Sequence, residues 1–202
     1  MHEKKGLTKN ELAQIVRAFS IFAPVTPEIQ DYFCKNAATR HVKKGKLVTK
    51  TGDINEYIYF VKKGALRGYI EDGKQEITTW ISIENEMVTS INSFIFQVPT
   101  YENIQALEDC ELFGTSFTDL ENLYLLYPYY NLVGRKVAEI YYTMAENRAA
   151  LVRYRSAEKK FELFLQYYSH LSGRISLKYI ASFLGITLET LSRVRTKYYA
   201  GK

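Results

Sequence analysis

The stretch KKGKLVTKTGDINEYIYFVKKGALRGYIEDGKQEITTW at residues 43–80 decides the fold, because short β-type segments alternate in it with turns that contain glycine. The segments are rich in Val, Ile, Tyr and Thr, which favour strands. Asp72-Gly73 separates two alternating segments and is typical of a tight β-hairpin. Similar segments continue to about residue 115, and many short strands at this spacing predict an antiparallel barrel or jelly roll.

Helical patterns flank the strand-rich region on both sides. Before it, Thr26-Pro27 is typical of a helix start, with Pro at the first helical position. After it, Ser116 and Ser156 are the expected N-caps of two further helices. Residues 130–153 lie between these two and predict a long helix. The predicted fold class is therefore α+β.

The predicted long helix carries an apolar stripe with heptad spacing. Such a stripe is narrower than the face that a helix usually turns toward its own core, and it favours the two-helix seam of a homodimer. Packing of the stripe against the chain's own barrel is the alternative. The predicted seam residues are Val133, Val137, Ile140, Met144, Asn147 and Leu151.

Residues 177–196, LKYIASFLGITLETLSRVRT, match a helix-turn-helix position by position. Gly185 stands at the turn, where a positive φ would strain a residue with a side chain. Thr187 is the expected N-cap of the second helix. Leu191 and Val194 have the spacing that buries this helix against the first one.

The opposite face of the second helix is polar. Glu189, Ser192 and Arg193 project outward together, and each can hydrogen-bond a base edge, with guanine the best partner of Arg. Residues 153–202 carry ten Lys and Arg against three Asp and Glu, which favours a polyanionic partner. A helical hairpin with a solvated charged face is the alternative. The predicted DNA-binding residues are Glu189, Ser192, Arg193, Thr187, Thr190 and Thr196, with Arg195, Lys197 and Lys178 at the margins for phosphates.

Composition argues against other classes of protein. Among 202 residues, 47% are apolar and 24% charged, as in ordinary globular proteins. Two cysteines and three histidines are too few and too scattered for a disulfide framework or a metal centre, and no catalytic motif occurs. No segment approaches the ~20 apolar residues of a membrane span, and the N-terminus lacks a secretory signal pattern. We therefore expect a cytoplasmic protein that is not an enzyme and holds no metal or cofactor.

The order of these elements resembles the cyclic-AMP receptor / fumarate-nitrate regulator (Crp/Fnr) family of bacterial transcription factors over about residues 15–198. The most specific parts are the glycine pattern of residues 43–80, ALEDCEL at 106–112 and ITLETLSR at 186–193. The resemblance implies a jelly-roll sensor domain of the cyclic nucleotide-binding type, a dimerisation helix and an at most partly winged helix-turn-helix domain. The corresponding boundaries are 1–129, 130–153 and 154–202.

The sequence departs from the family where its cyclic-AMP-binding members hold the nucleotide. The family's Gly-Glu is replaced here by Thr89-Ser90, and the position of its phosphate-binding Arg falls at Thr100 or Tyr101. A phosphate without a charged partner is poorly held in a partly buried pocket, so cyclic AMP is not expected to bind. The effector is then an unidentified small molecule, or there is none. Any ligand pocket is expected to be lined by Thr89, Ser90, Ser93, Tyr101 and Asn103.

The expected function is that of a homodimeric transcription regulator that binds double-stranded DNA at an inverted-repeat operator. RNA polymerase is a further candidate partner. Two alternatives remain open. One is a module that binds a cyclic nucleotide or another small molecule and has no DNA function. The other is a cupin-like metalloenzyme on the same roll, which would need two or three histidines on adjacent strands.

Overall fold

The computed structural model describes residues 7–201, and helices flank its strands on both sides. Met1–Gly6 and Lys202, the outer ends of the predicted domains 1–129 and 154–202, lie outside the described residues. The helices are α1 (Lys9–Phe19), α2 (Pro27–Asn36), α3 (Ile91–Phe96), α4 (Phe117–Leu126), α5 (Asn131–Arg153), α6 (Ala157–Tyr168), α7 (Leu177–Leu184) and α8 (Leu188–Ala200). The strands are β1 (Ala38–Val42), β2 (Leu47–Thr49), β3 (Tyr57–Lys63), β4 (Leu66–Asp72), β5 (Gln75–Ser82), β6 (Met87–Val88), β7 (Asn103–Ala106) and β8 (Cys110–Ser116).

The strands form two four-stranded sheets, with the orders β1-β8-β3-β6 and β2-β7-β4-β5. In the first sheet β8 pairs antiparallel with both neighbours, so that Gly114 lies opposite Ala38 on one side and Tyr59 on the other. Strand β2 likewise pairs antiparallel with β7 in the second sheet. The predicted α+β class with an antiparallel roll is therefore confirmed.

Glycines form the turns that the sequence predicts. Gly73 has a φ of +62° between β4 and β5, which confirms the hairpin predicted from Asp72-Gly73. Gly64 has a φ of +103°, and a Cβ atom built on it would lie 2.6 Å from the Sγ atom of Cys110. Because neither the conformation nor the space admits a side chain, Gly64 allows the β3–β4 turn to pack on β8. Burial raises the pKa of the Cys110 thiol to about 11.

The helix starts follow the capping signals of the sequence. Pro27 is the first residue of α2, and Thr26 precedes it in an extended conformation. The Ser116 hydroxyl accepts a hydrogen bond of 3.0 Å from the backbone N–H of Asp119 at the start of α4. Ser156 accepts one of 3.1 Å from Lys159 at the start of α6. These three predicted starts are confirmed. Ser116 and Ser156 accept a hydrogen bond from a backbone N–H that the first helical turn leaves unpaired, and Pro27 has no N–H to be paired.

The chain divides into two compact units. The first unit contains the described residues up to Gly68 together with Ile81–Ile140. The second contains the hairpin segment Tyr69–Trp80 and the described residues from Tyr141 onward. The β4–β5 hairpin is thus grouped with the C-terminal helices, and α5 contributes to both units.

Each unit has its own apolar core. In the first unit Phe33, Phe60 and Phe113 are buried together with Tyr130. The hydroxyl of Tyr130 has no hydrogen-bond partner among the described residues, and burial raises its pKa. In the second unit aromatic rings from α6 and α7 pack against each other, and Phe183 lies 5.3 Å from Tyr168, centroid to centroid.

Candidate nucleic-acid interface and sensor cassette

Helices α7 and α8 are joined by a tight turn with the expected local geometry. Gly185 ends α7 with a φ of +62° in the left-handed region. The N–H of Ile186 then donates to the carbonyl of Ala181 at 3.1 Å, which closes the helix end. The Thr187 hydroxyl accepts from the N–H of Thr190 at 3.1 Å and caps α8. The predicted glycine turn and N-cap of the helix-turn-helix are confirmed.

Helix α8 has a buried face and an exposed face. Leu191 is fully buried and Val194 is 4% exposed. Glu189, Ser192 and Arg193 lie on the exposed side, and none of their side chains is hydrogen-bonded to another described residue. The polar ends of these three side chains are therefore available to an external partner. A base edge offers the donors and acceptors that they complement.

The three threonines of the predicted interface are engaged within the chain. Besides capping α8, the Thr187 hydroxyl donates to that of Thr190 at 2.9 Å. The Thr196 hydroxyl donates to the carbonyl of Ser192 at 3.1 Å. These hydroxyls have fewer free lone pairs and protons for DNA than the sequence alone suggests. Their observed contribution is to fix the start and the backbone of α8.

The basic residues at the margins are close to the surface. Lys178 and Lys197 are exposed, and Arg195 is half-buried. The Nζ atom of Lys197 lies 3.8 Å from Glu158 on α6, in a pair that is exposed on both sides. Such a pair is weak in water, so Lys197 can exchange its partner for a phosphate at small cost.

The sequence analysis did not identify Lys160, which hydrogen-bonds the end of α7 at the turn between α7 and α8. Its side chain is buried at 6% exposure, and Nζ donates a hydrogen bond of 2.8 Å to the carbonyl of Leu184 at the end of α7. A cation at a helix C-terminus is stabilised by the unpaired carbonyls there. The contact ties α6 to the turn that sets the direction of α8. No local motif announces it, because Lys160 and Leu184 are 24 residues apart.

The predicted ligand residues of the roll are mostly buried. Thr89, Ser90, Ser93 and Asn103 are between 0 and 7% exposed, whereas Tyr101 is 64% exposed. Their polar atoms are bonded to other protein atoms. The hydroxyls of Ser90 and Thr100 lie 2.8 Å apart. The carbonyl oxygen of the Asn103 side chain accepts from the N–H of Thr51 at 2.9 Å.

Asn55, which sequence reasoning also missed, is the centre of this buried network. Its side-chain amide donates to the Tyr57 carbonyl at 2.9 Å and to the Thr89 hydroxyl. Its side-chain oxygen accepts from Thr49 at 2.6 Å, and its backbone N–H donates to Ser93 at 2.8 Å. We name Thr49, Asn55, Thr89, Ser90, Ser93, Thr100 and Asn103 the polar cassette. Its groups are hydrogen-bonded to one another and to backbone groups of Thr51, Tyr57 and Val98, as buried polar groups generally are.

The buried guanidinium nearest in sequence to this region has a different partner. Arg67 is 2% exposed, and its Nε and Nη2 atoms donate to the Gln105 side-chain oxygen at 2.9 and 2.7 Å. This contact joins β4 to β7 within the second sheet. Two of the guanidinium's hydrogen bonds therefore go to a neighbouring strand.

The stripe predicted as a dimer seam has unequal exposure along α5. Val133 is 2% exposed in the core of the first unit, against which Val137 also packs. Leu151 is 1% exposed in the second unit. Ile140 is 43% exposed, and Met144 and Asn147 are half-buried. The chain itself thus buries both ends of the stripe and leaves its middle accessible.

The described residues form neither a cluster of metal-binding side chains nor a membrane-spanning helix. Within residues 7–201, no three or more His, Cys, Asp or Glu side chains come together in a group able to hold a metal ion. The same part of the chain contains no helix that is both long and apolar enough to cross a bilayer. A cupin-like site with several histidines therefore finds no support in the described residues.

Comparisons with known proteins agree with this geometry. Residues 39–127 match the family model of the cyclic nucleotide-binding domain. Transcriptional activator protein FnrA of Stutzerimonas stutzeri is 25% identical over 176 residues, which are 79% of this chain and 69% of that protein. The structure of a CooA mutant from Carboxydothermus hydrogenoformans aligns with a TM-score of 0.73 at 18% identity, over 98% of this chain and 88% of that one. FixK2 from Bradyrhizobium japonicum aligns with a TM-score of 0.69 at 19% identity, over 82% and 85%.

The chain thus combines a roll that matches the cyclic nucleotide-binding domain with a long helix and a helix-turn-helix. The particular resemblance that the sequence predicts, to the Crp/Fnr family, is confirmed. FnrA is by its name a transcriptional activator.

Proposed function

We propose that the protein is a sequence-specific DNA-binding transcription regulator that reads bases with α8. The observation that carries this proposal is the division of α8 into a buried face at Leu191 and Val194 and an exposed face at Glu189, Ser192 and Arg193. The exposed side chains are unpaired, charged or polar, and mounted on a helix whose start is capped. In helix-turn-helix proteins a helix in this position enters the major groove.

Selection of bound duplexes from a random pool tests this function. We expect enrichment of an inverted repeat whose half-site centres lie about 10 bp apart, one helical turn. A variant with Glu189, Ser192 and Arg193 all changed to Ala keeps the buried face and is the matched control. It should bind without enrichment. An equally strong enrichment by this control, or no retention of any duplex by the native protein, would contradict the proposal.

We further propose that the protein acts as a homodimer through the middle of α5. Support comes from the exposure of Ile140, at 43%, on a helix of 23 residues. An exposed apolar residue in a heptad pattern is typical of a helix–helix seam. Val133 and Leu151 are buried in the protomer, so substitutions there would test folding more than association.

Sedimentation of a charged variant tests the seam. Changing Ile140 and Met144 to Glu should give monomers and abolish tight binding to an inverted repeat, since both half-sites must be held at once. The control is Ile21→Glu, which charges a side chain that is 76% exposed outside α5. Dimers of the double variant would place the seam elsewhere.

We propose finally that the sensor does not respond to cyclic AMP. The polar cassette supports this, because its buried groups are bonded to each other and it contains no Lys or Arg. A cyclic nucleotide would have to break these bonds, and none of the cassette's own side chains is a cation that could pair with its phosphate. Calorimetric titration of the full chain with cyclic AMP should give no heat of binding. A micromolar dissociation constant would overturn the proposal.

A further inference from the structure

The β4–β5 hairpin and the first helix of the helix-turn-helix share a two-point contact. The Ser182 hydroxyl on α7 accepts a hydrogen bond of 2.8 Å from the backbone N–H of Thr78. The same hydroxyl donates to the carbonyl of Glu76 at 3.0 Å. Both partners belong to the second unit, and Thr78 is only 3% exposed.

This contact closes the open edge of a sheet. Strand β5 is the last strand in the order β2-β7-β4-β5. Residues two apart on a strand point their backbone groups toward the same side, so Glu76 and Thr78 present a carbonyl and an N–H at that edge. Ser182 satisfies both groups with one hydroxyl, as a further strand would. Strand β5 is therefore bound to α7 by two directed hydrogen bonds at the edge of its sheet.

The docked hairpin is acidic, and the helix on which it docks belongs to the candidate DNA interface. Between residues 71 and 76 the hairpin carries Glu71, Asp72 and Glu76 against one Lys, and all of these side chains are exposed. Lys178, a predicted phosphate contact, lies one turn before Ser182 on the same face of α7. Four helical residues rise about 6 Å, which is less than the Debye length of about 8 Å at physiological salt.

We propose that the β4–β5 hairpin is an autoinhibitory latch, in which Ser182 holds an acidic edge strand on the face of α7 that DNA phosphates would approach. This inference rests on the proposed DNA-binding function. In a helix-turn-helix the first helix crosses the DNA backbone. The acidic hairpin and the phosphates therefore compete for the same basic face, and release of the hairpin raises the affinity for DNA.

The variant Ser182→Ala removes both hydrogen bonds and keeps a good helix former in α7. The matched control is Ser176→Ala, at the N-cap of the same helix, because the Ser176 side chain makes no capping hydrogen bond. Affinity is measured on the full chain with a random-sequence duplex, since competition for phosphates does not depend on base sequence. We expect Ser182→Ala to bind about three to ten times more tightly than the native protein, and Ser176→Ala to bind like it. Hydrogen exchange at the Thr78 amide should accelerate in Ser182→Ala alone.

A second variant separates charge from the hydrogen bonds. Changing Glu71 to Gln and Asp72 to Asn leaves Ser182 and the β5 edge intact. It should also tighten binding at low salt, and the gain should disappear at high salt. Faster exchange at Thr78 with unchanged or weaker DNA binding would overturn the latch, even though the contact exists. Failure of the native protein and of both variants to retain any duplex would instead overturn the proposed function.

Discussion

The exposed face of α8 and the polar cassette of the roll are both built from polar side chains but differ in how the polar atoms are used. In the cassette, Asn55 alone makes four hydrogen bonds, and its neighbours are between 0 and 7% exposed. On α8, Glu189, Ser192 and Arg193 are exposed and are not bonded to other described side chains. The polar groups of the cassette are hydrogen-bonded within the fold, whereas those of α8 are exposed to solvent.

The difference teaches that residue type does not by itself define a binding site. A buried polar group that has a partner stabilises the chain by about 1 kcal/mol and is costly to unpair. An exposed group that has none can bind a ligand without breaking an existing contact. The polar cassette is therefore the less favourable candidate site, and the exposed face of α8 is the more favourable one.

Removing the centre of the cassette should have the largest effect on the molecule. Asn55→Ala leaves the buried Thr49 hydroxyl without its partner and takes one hydrogen bond each from Thr89 and Tyr57. We expect the free energy of unfolding to fall by about 3 kcal/mol. Urea denaturation followed by circular dichroism measures the change. Asn10→Ala, on the exposed face of α1, is the control and should have no effect. A loss below about 1 kcal/mol would mean that the network is not a structural element.

Removing a reading side chain should act on DNA binding and not on stability. Arg193→Ala should cost about 1–3 kcal/mol of binding free energy at one base position and relax the preference there. Arg195→Ala, two residues along the same helix, should instead weaken all operator variants alike. Affinities of both variants for the selected operator and its single-base changes give the answer. Uniform weakening by Arg193→Ala would make it a phosphate contact.

The buried polar groups of the cassette are hydrogen-bonded, but the buried hydroxyl of Tyr130 has no hydrogen-bond partner among the described residues. Tyr130→Phe removes this hydroxyl and should raise the free energy of unfolding by about 1 kcal/mol. Tyr129→Phe is the control, since Tyr129 is 46% exposed. Thermal unfolding of both variants measures the difference. A lower melting temperature for Tyr130→Phe would reveal a partner for the hydroxyl.

The smallest expected effect concerns Lys197, whose ion pair with Glu158 is exposed on both sides. Lys197→Gln should leave stability unchanged, because such pairs contribute little. If Lys197 contacts a phosphate, the slope of log affinity against log salt should become shallower by about one. Titrations at several salt concentrations measure the slope, and an unchanged slope would remove Lys197 from the interface.

Local signals in the sequence are sufficient to predict the turns and helix starts of the molecule. Glycine turns, N-caps and apolar periodicity act over a few residues, and they correctly predict the hairpin at Gly73, the start of α4 at Ser116 and the turn at Gly185. The outward face of α8 follows from the same periodicity, because the buried positions Leu191 and Val194 determine which side remains exposed.

Contacts between distant residues could not be predicted in this way. Lys160 reaches Leu184 across 24 residues, and Ser182 reaches Thr78 across 104. The apolar stripe of α5 keeps the same heptad spacing along its length. Nevertheless, Val133 is buried in a core whereas Ile140 is exposed. Periodicity identifies a face of a helix, but only the neighbouring elements decide what covers each part of it.

The packing of Gly64 against Cys110 has a chemical consequence for work with this protein. Burial holds the thiol of Cys110 in its protonated form at neutral pH, with a pKa of about 11, and the thiolate is the form that reacts with alkylating reagents. Cys34, on α2, is the other cysteine of the chain and is partly exposed. A maleimide dye should therefore attach to Cys34 alone under native conditions. The wild-type chain thus offers a single labelling position for fluorescence.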